Sequence, residues 1–174
     1  MSRKTGFWAK VGVTVAGAAL VVTGATAATT ASASEKAAPA PAIATVTVRS
    51  GPNGQYLADG QGNSLYLFLA DTGNTSQCNG QCAAAWPPLT TSGTPQAGTG
   101  VDGSKLNTSN RSDGSKQVTY NNHPLYRFAD DTAVGQTNGQ GVNAFGALWW
   151  LVNPAGDAIT TKAGGTPAPG GVTY

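Results

Sequence analysis

The sequence predicts an all-β, mostly antiparallel fold: a single compact domain built from two internally duplicated β-units, with disordered tails. Three observations carry that prediction. Charged residues make up 10% of the chain, well below the roughly 25% of ordinary soluble domains. Long helices would draw on more Glu, Lys, Leu and Met, so a weakly charged chain rich in Gly, Thr, Asn and Ser points to strands. Short apolar runs lie between Gly/Asn turn signals, and the chain repeats itself at an offset near 60 residues.

Taken in order, residues 1–33 read as a signal peptide. MSRKTGFWAK carries Arg3, Lys4 and Lys10 and no acid, VGVTVAGAALVV is a short apolar run, and Ala31-Ser32-Ala33 forms an A-x-A cleavage pattern. The apolar run of 12 residues falls short of the roughly 20 that a spanning helix needs, and no cysteine near the site could take a lipid. A secreted product, extracellular or cell-wall associated and without a stable membrane anchor, is expected. Of the ten Lys and Arg against eight Asp and Glu, three leave with the signal, so seven face eight. No basic stripe remains, which excludes nucleic acid as a partner.

About 141 residues follow the signal, enough for one domain with its own core. SEKAAPAPA (34–42) reads as a flexible linker and AGGTPAPGGVTY (163–174) as a flexible tail, both Pro/Gly/Ala-rich without apolar periodicity. The folded part is expected over 43–162, with copy one about 51–90 and copy two about 113–155.

At an offset of 60, Leu65-Tyr66-x-Phe68-x-x-Asp71-Thr72 falls on Leu125-Tyr126-x-Phe128-x-x-Asp131-Thr132. Asn79-Gly80-Gln81 then meets Asn138-Gly139-Gln140 at an offset of 59, and Trp86 falls near Trp149 or Trp150. GQYLADGQGNSLYLF and KQVTYNNHPLYRF each read as a hairpin, the second turning at Asn121-Asn122. DGSK at 102–105 recurs at 113–116 and reads as a pair of Asp-Gly turns joining the copies.

These two Y-x-F-x-x-D segments, the CNGQCAAAWPPL run and DGSKQVTYNNHPLYRFADD followed by GQTNGQGV resemble a bacterial secreted-repeat family, lipoproteins marked by a Yx(FWY)xxD motif. The resemblance covers roughly residues 50–155 and implies an envelope or secreted bacterial protein whose activity is not established. The chain departs from the lipoprotein pattern in lacking a lipidation cysteine.

The chain's only cysteines, Cys78 and Cys82, sit four apart. An even count in an exported protein favours a disulfide. C-x-x-x-C followed by Ala83 is not a haem attachment site, and two cysteines with one histidine fall short of a structural zinc. A redox pair stays open as the alternative. In the second copy the cysteines align with Thr137 and Gly141, so the loop's shape does not require sulfur.

In a strand, Tyr66 and Phe68 share one face, as do Tyr126 and Phe128. The other face carries Leu65, Leu67 and Leu69 in copy one but Leu125, Arg127 and Ala129 in copy two. Copy one's strand is therefore expected to be buried on both sides and copy two's on one. Asp71 and Asp131 lie just past the strand ends, where a carboxylate accepts backbone N–H groups and fixes a turn. The competing reading has the Tyr hydroxyls and carboxylates lining a ligand site.

Trp149 and Trp150 point to opposite faces of a strand; core filling is the favoured reading of the pair, with one ring at the surface as the alternative. With Tyr120 and His123, which flank the Asn121-Asn122 turn, they form the expected contact surface for a cell-wall polymer, a sugar or an envelope protein. No G-x-S-x-G or H-E-x-x-H pattern supports catalysis and no cofactor is implied. The sequence thus reads as a non-enzymatic binding or structural module, the alternative being an envelope redox accessory protein that uses Cys78 and Cys82.

Overall fold

The computed structural model describes residues 42–161; the expected signal peptide, most of the linker and the C-terminal tail lie outside the described residues. Within them the architecture is β-sheet with one short α-helix and one 3-10 turn at Gly103–Lys105, as the composition predicts. Strand β1 (Thr45–Gly51) pairs antiparallel with β2 (Gly54–Asp59) and parallel with the two-residue β4 (Gln96–Ala97). Strand β3 (Tyr66–Phe68) pairs with β9 (Ala147–Leu151), which also pairs with β8 (Val142–Ala144). Strand β5 (Leu106–Asn110) pairs with β6 (Lys116–Tyr120), and β6 with β7 (His123–Pro124). The helix α1 (Gln81–Ala85) lies between β3 and β4. No helix among the described residues is long and apolar enough to cross a membrane.

Local chemistry explains the turns. Asn121 and Asn122 both take left-handed conformations, φ 48° and 66°, in the two-residue turn between β6 and β7. Asn tolerates that region, and such a turn matches the right-handed twist of the flanking strands. The DGSK at 113–116 proves to be part of the β5–β6 hairpin rather than a join between copies: Arg111 N–H donates to Ser115 at 2.9 Å, and Asp113 accepts the Ser115 N–H at 2.9 Å. Each unit accordingly opens with a hairpin strand, β1 or β5, that lies ahead of the motif hairpins read from the sequence.

The two copies are related by a pseudo-twofold axis. Tyr66 N–H donates to the Tyr126 carbonyl at 2.8 Å, and Tyr126 N–H donates to the Tyr66 carbonyl at 2.9 Å. This reciprocal pair places the axis between the two motif tyrosines. Other bonds follow the same symmetry: Leu65 N–H to Leu57 (2.9 Å) matches Leu125 N–H to Val118 (3.0 Å).

The segments carrying the tryptophans are exchanged between copies. Leu89 N–H donates to Leu125 and the Leu89 carbonyl accepts from Val118, so copy one's last segment, bridged at Pro88 and Thr90, completes copy two's sheet. Conversely, Val152 N–H donates to Leu65 and its carbonyl accepts from Leu57, so copy two's last strand completes copy one's. Leu89 therefore matches Val152, and Trp86 matches Trp149 rather than Trp150. Neither copy closes its own sheet.

The exchange builds the core. Phe68 stacks on Trp149 (centroids 4.1 Å apart), Trp149 on Trp86 (3.9 Å) and Trp86 on Phe128 (4.2 Å). Tyr66 meets Trp86 edge-on at 5.4 Å, and Tyr126 meets Trp149 likewise at 5.1 Å. Six aromatic residues thus form a palindromic stack across the axis, each ring pair contributing about 0.5–1.5 kcal/mol beyond its burial. A second apolar cluster, with Val46, Leu57, Leu65, Leu125 and Trp150, fills the other face of the strands.

Two stability outcomes follow from the exchange. Gly139 lies against the stack: a Cβ there would stand 2.8 Å from Trp86 and 2.9 Å from Tyr66. Gly139→Ala is expected to destabilise the fold by about 1–3 kcal/mol in a urea titration, the usual cost of overpacking. Peptides 43–100 and 101–161 are expected to be unfolded separately and to recover native circular dichroism when mixed.

Candidate functional site

The structure brings the motif residues of the two copies together, each tyrosine meeting the other copy's aspartate. Tyr66 donates its hydroxyl to Asp131 at 2.6 Å, and Tyr126 donates to Asp71 at 2.8 Å. The carboxylates also perform the turn-fixing role expected of them. Asp71 accepts the Gln77 N–H and Asp131 the Asn138 N–H, both at 2.8 Å. One Y-x-F-x-x-D segment therefore supplies a strand, a ring for the stack, a phenol for the partner copy and a carboxylate that receives the partner's phenol.

Burial sets the electrostatics of this clasp. It pushes the Asp71 carboxyl up to about 6, against the lowering action of the Gln77 N–H, the Tyr126 hydroxyl and Arg111. Burial likewise raises Asp131. Both phenols are raised, Tyr66 by burial and then Asp131, Tyr126 by burial and then the Asp71 charge. The tyrosines stay protonated and act as donors at any physiological pH.

The two sides of the clasp are finished with different chemistry. In copy one, Cys78 and Cys82 form a disulfide, both residues buried. Beside it the buried Arg111 guanidinium donates to the Cys78 carbonyl (2.6 Å), Ser76 Oγ (2.8 Å) and Gln117 Oε1 (2.6 Å). Ser76 Oγ in turn donates to the Tyr126 hydroxyl oxygen at 2.7 Å, so the network runs from the disulfide loop to the clasp. In copy two no sulfur is present. There the buried Gln140 receives the Leu151 N–H at 2.9 Å and donates to the Ile159 and Thr161 carbonyls.

The expected contact surface requires correction. Trp149, Trp150 and Tyr120 are all buried, at 0%, 3% and 0% exposure. Strand neighbours face opposite ways, yet both faces of β9 are covered, one by the stack and one by the apolar cluster, so both rings fill the core and the exposed-ring alternative falls. The Tyr120 hydroxyl donates to the Pro154 carbonyl at 2.9 Å. His123 is half-buried, and desolvation, partly offset by Asp157, holds it below its ordinary range and so neutral.

The outward-facing chemistry lies elsewhere. A cleft of about 360 Å³ opens beside Asp59 and Arg127, with Ile43, Thr45, Leu89 and Thr90 among its walls. Asp59 and Arg127 form an ion pair at 2.6 Å, the carboxylate buried and the guanidinium side chain 34% exposed. Burial alone would raise Asp59, but bonds from Asn63 and Arg127 outweigh it and hold the carboxyl below its ordinary value. Asp59, Ser76, Arg111 and Gln117 gave no recognisable sequence signal, since nothing local marks their partners. Arg127 did leave one, as the charged residue where copy one has Leu67. Among the described residues no three His, Cys, Asp or Glu side chains gather as a metal site would require.

The domain is made of two interlocked Y-x-F-x-x-D units, each completing the other. The chain belongs to the family described as a secreted repeat of unknown function, whose model matches twice, at residues 47–90 and 107–153. No curated protein and no solved structure matches it.

Two measurements probe the clasp. In double-mutant cycles, Tyr66→Phe with Asp131→Asn is expected to show coupling of about 1–2 kcal/mol, and Tyr66→Phe with Asp71→Asn, within one motif, much less. The Asp71 shift also has a pH signature. Its folded value of about 6 lies above the ordinary 3.8, so the folded state binds the proton more tightly. That contribution is present at low pH and lost as pH rises through about 6. Thermal unfolding should show higher stability at pH 5 than at pH 7.5, by about 1 kcal/mol or less after solvent screening, and Asp71→Asn should flatten the difference.

Proposed function

We propose that the protein is a non-enzymatic binding or structural module of the bacterial cell envelope, held outside the membrane and presenting a rigid duplicated β-domain to wall polymer, sugar or an envelope protein. One observation carries this reading: the motif's ionisable groups are spent on each other. Tyr66 is bonded to Asp131 and Tyr126 to Asp71, with both rings fully buried. A catalytic acid or base must reach a substrate proton within hydrogen-bond distance. These groups instead hold the two copies together, as a scaffold requires. The family's description as secreted agrees with the placement.

The redox alternative gains no support from the fold. Thiol–disulfide exchange requires an attacking thiolate to reach a sulfur. Cys78 is 0% exposed and Cys82 7%. The bridge closes a loop of four residues' separation, worth about 2 kcal/mol in the chain-entropy model.

The folded, signal-free protein is expected to co-sediment saturably with isolated wall polymer or envelope fractions, and a Cys78→Ser/Cys82→Ser variant to do so equally. Absence of saturable retention on any of these materials would sink the binding version. Loss of retention in the serine variant, with its circular dichroism unchanged, would restore the cysteines to a functional role.

A further inference from the structure

The pseudo-twofold axis supplies an internal control for each residue, because whatever the fold alone demands should be met in both copies. At one junction the copies solve the same packing problem with different chemistry. Arg127 occupies the place of Leu67, and Asp59 the place of Tyr120. In the uncharged version Leu67 is buried at 2% exposure and the Tyr120 hydroxyl is satisfied by the Pro154 carbonyl. The fold therefore does not need an ion pair there. Burying one still costs desolvation, so the Asp59–Arg127 pair calls for a reason beyond packing.

Its geometry suggests what that reason is. Asp59 is saturated: it accepts the Gln61 N–H, the Asn63 N–H and the Asn63 amide, each at 2.9 Å, and Arg127 Nε at 2.6 Å. Arg127 is anchored by Nε alone. Its two Nη groups have no hydrogen-bond acceptor among the described residues, and its side chain is one-third exposed on the cleft. A guanidinium fixed at one edge by a buried carboxylate presents its remaining N–H groups at a set angle, the arrangement that suits a planar oxyanion.

Thr90 adds a main-chain edge beside it. Thr90 faces Gln117 in an antiparallel bridge whose flanking bonds are made by Leu89 and Thr91. In such a non-bonded pair the residue's own N–H and C=O point away from the partner strand. Ile43, 52% exposed, gives the cleft an apolar wall.

We propose that this cleft binds the C-terminal carboxylate of a short peptide with small apolar side chains. The Arg127 Nη groups take the carboxylate, the Thr90 main chain pairs with the peptide backbone, and Ile43 covers an apolar side chain. A monoanion suits a site whose single cation is already half-compensated by Asp59, whereas a dianion such as phosphate would be repelled by that carboxylate. The volume, about 360 Å³, lies at the low end of the roughly 300–1,000 Å³ of small-ligand sites and suits a chain end rather than a long segment. This assignment rests on the binding-module reading, and names the ligand class for it.

The test is nuclear magnetic resonance on the full chain, following the Arg127 Nε–H and Thr90 N–H signals. The probes are N-acetyl-alanyl-alanine, its C-terminal amide, glucuronate and inorganic phosphate. The peptide acid is expected to move both signals saturably and the amide to bind at least tenfold more weakly. Arg127→Gln, which can still donate to Asp59, should weaken the acid at least tenfold while leaving the rest of the spectrum in place. Equal binding of acid and amide, no saturable shift, or an unaffected Arg127→Gln variant would overturn the proposal. Tighter binding of glucuronate or phosphate would overturn the peptide assignment. Because the peptide is tested directly, its binding without wall retention would remove the envelope placement and leave the cleft standing.

Discussion

The stack of Trp86 on Trp149 across the pseudo-twofold axis is the contact on which the rest of the structure depends. Trp86 arrives at the end of α1 and Trp149 on β9, each on a segment that belongs to one copy by sequence and is hydrogen-bonded to the other. Remove the exchange and three consequences come together: both sheets lose their last segment, the phenylalanines lose their stacking partners, and the two Tyr–Asp bonds part. Domain swapping is normally a route to dimers. Here the two protomers are joined in one chain, so the exchange becomes intramolecular and its entropic cost is that of closing a loop rather than of association.

This arrangement explains why the Y-x-F-x-x-D spacing takes the form it does. Tyr66 and Phe68, two apart, share the face toward the stack, while Asp71 falls beyond the strand end, where it can meet both its own turn and the partner copy's phenol. Placing that carboxylate within the strand would leave it among apolar rings without N–H donors. The raised Asp71 value shows that the site is already costly for the charge, and the Gln77, Tyr126 and Arg111 contacts only partly offset it. A clasp of this kind contributes more to registering one copy on the other than to net stability.

Much of this was legible in the sequence and some was not, for identifiable reasons. The duplication, the β class and the Asn121-Asn122 turn could be read because they rest on local chemistry and on repetition. The disulfide followed from count and compartment. The crossing of Tyr66 to Asp131 could not be read, because an intra-copy pairing and an exchanged pairing have the same sequence. For Trp149 and Trp150 the sequence leaves core filling and one exposed ring both open. Strand alternation assigns opposite faces, but only the tertiary fold decides that both faces are covered. Arg111 is further from legibility still, since its partners Ser76, Cys78 and Gln117 converge only after the exchange has occurred.

Duplication also separates what the fold requires from what has been added to it. Features present in both halves, namely the Tyr–Asp bonds, the stacked Trp and Phe, and the reciprocal main-chain pairs, are requirements of the shared architecture. The additions are the disulfide with Arg111, the Gln140 staple and the Asp59–Arg127 pair. The first two serve the same end by different means, each tying its loop to a neighbouring strand or segment through buried bonds. The third ties down nothing that Leu67 and Tyr120 do not already secure on the opposite side, and it alone turns unspent donors toward a cleft. Once packing and clasping are accounted for, the asymmetry that remains in this near-symmetric molecule is an arginine held ready by a buried carboxylate.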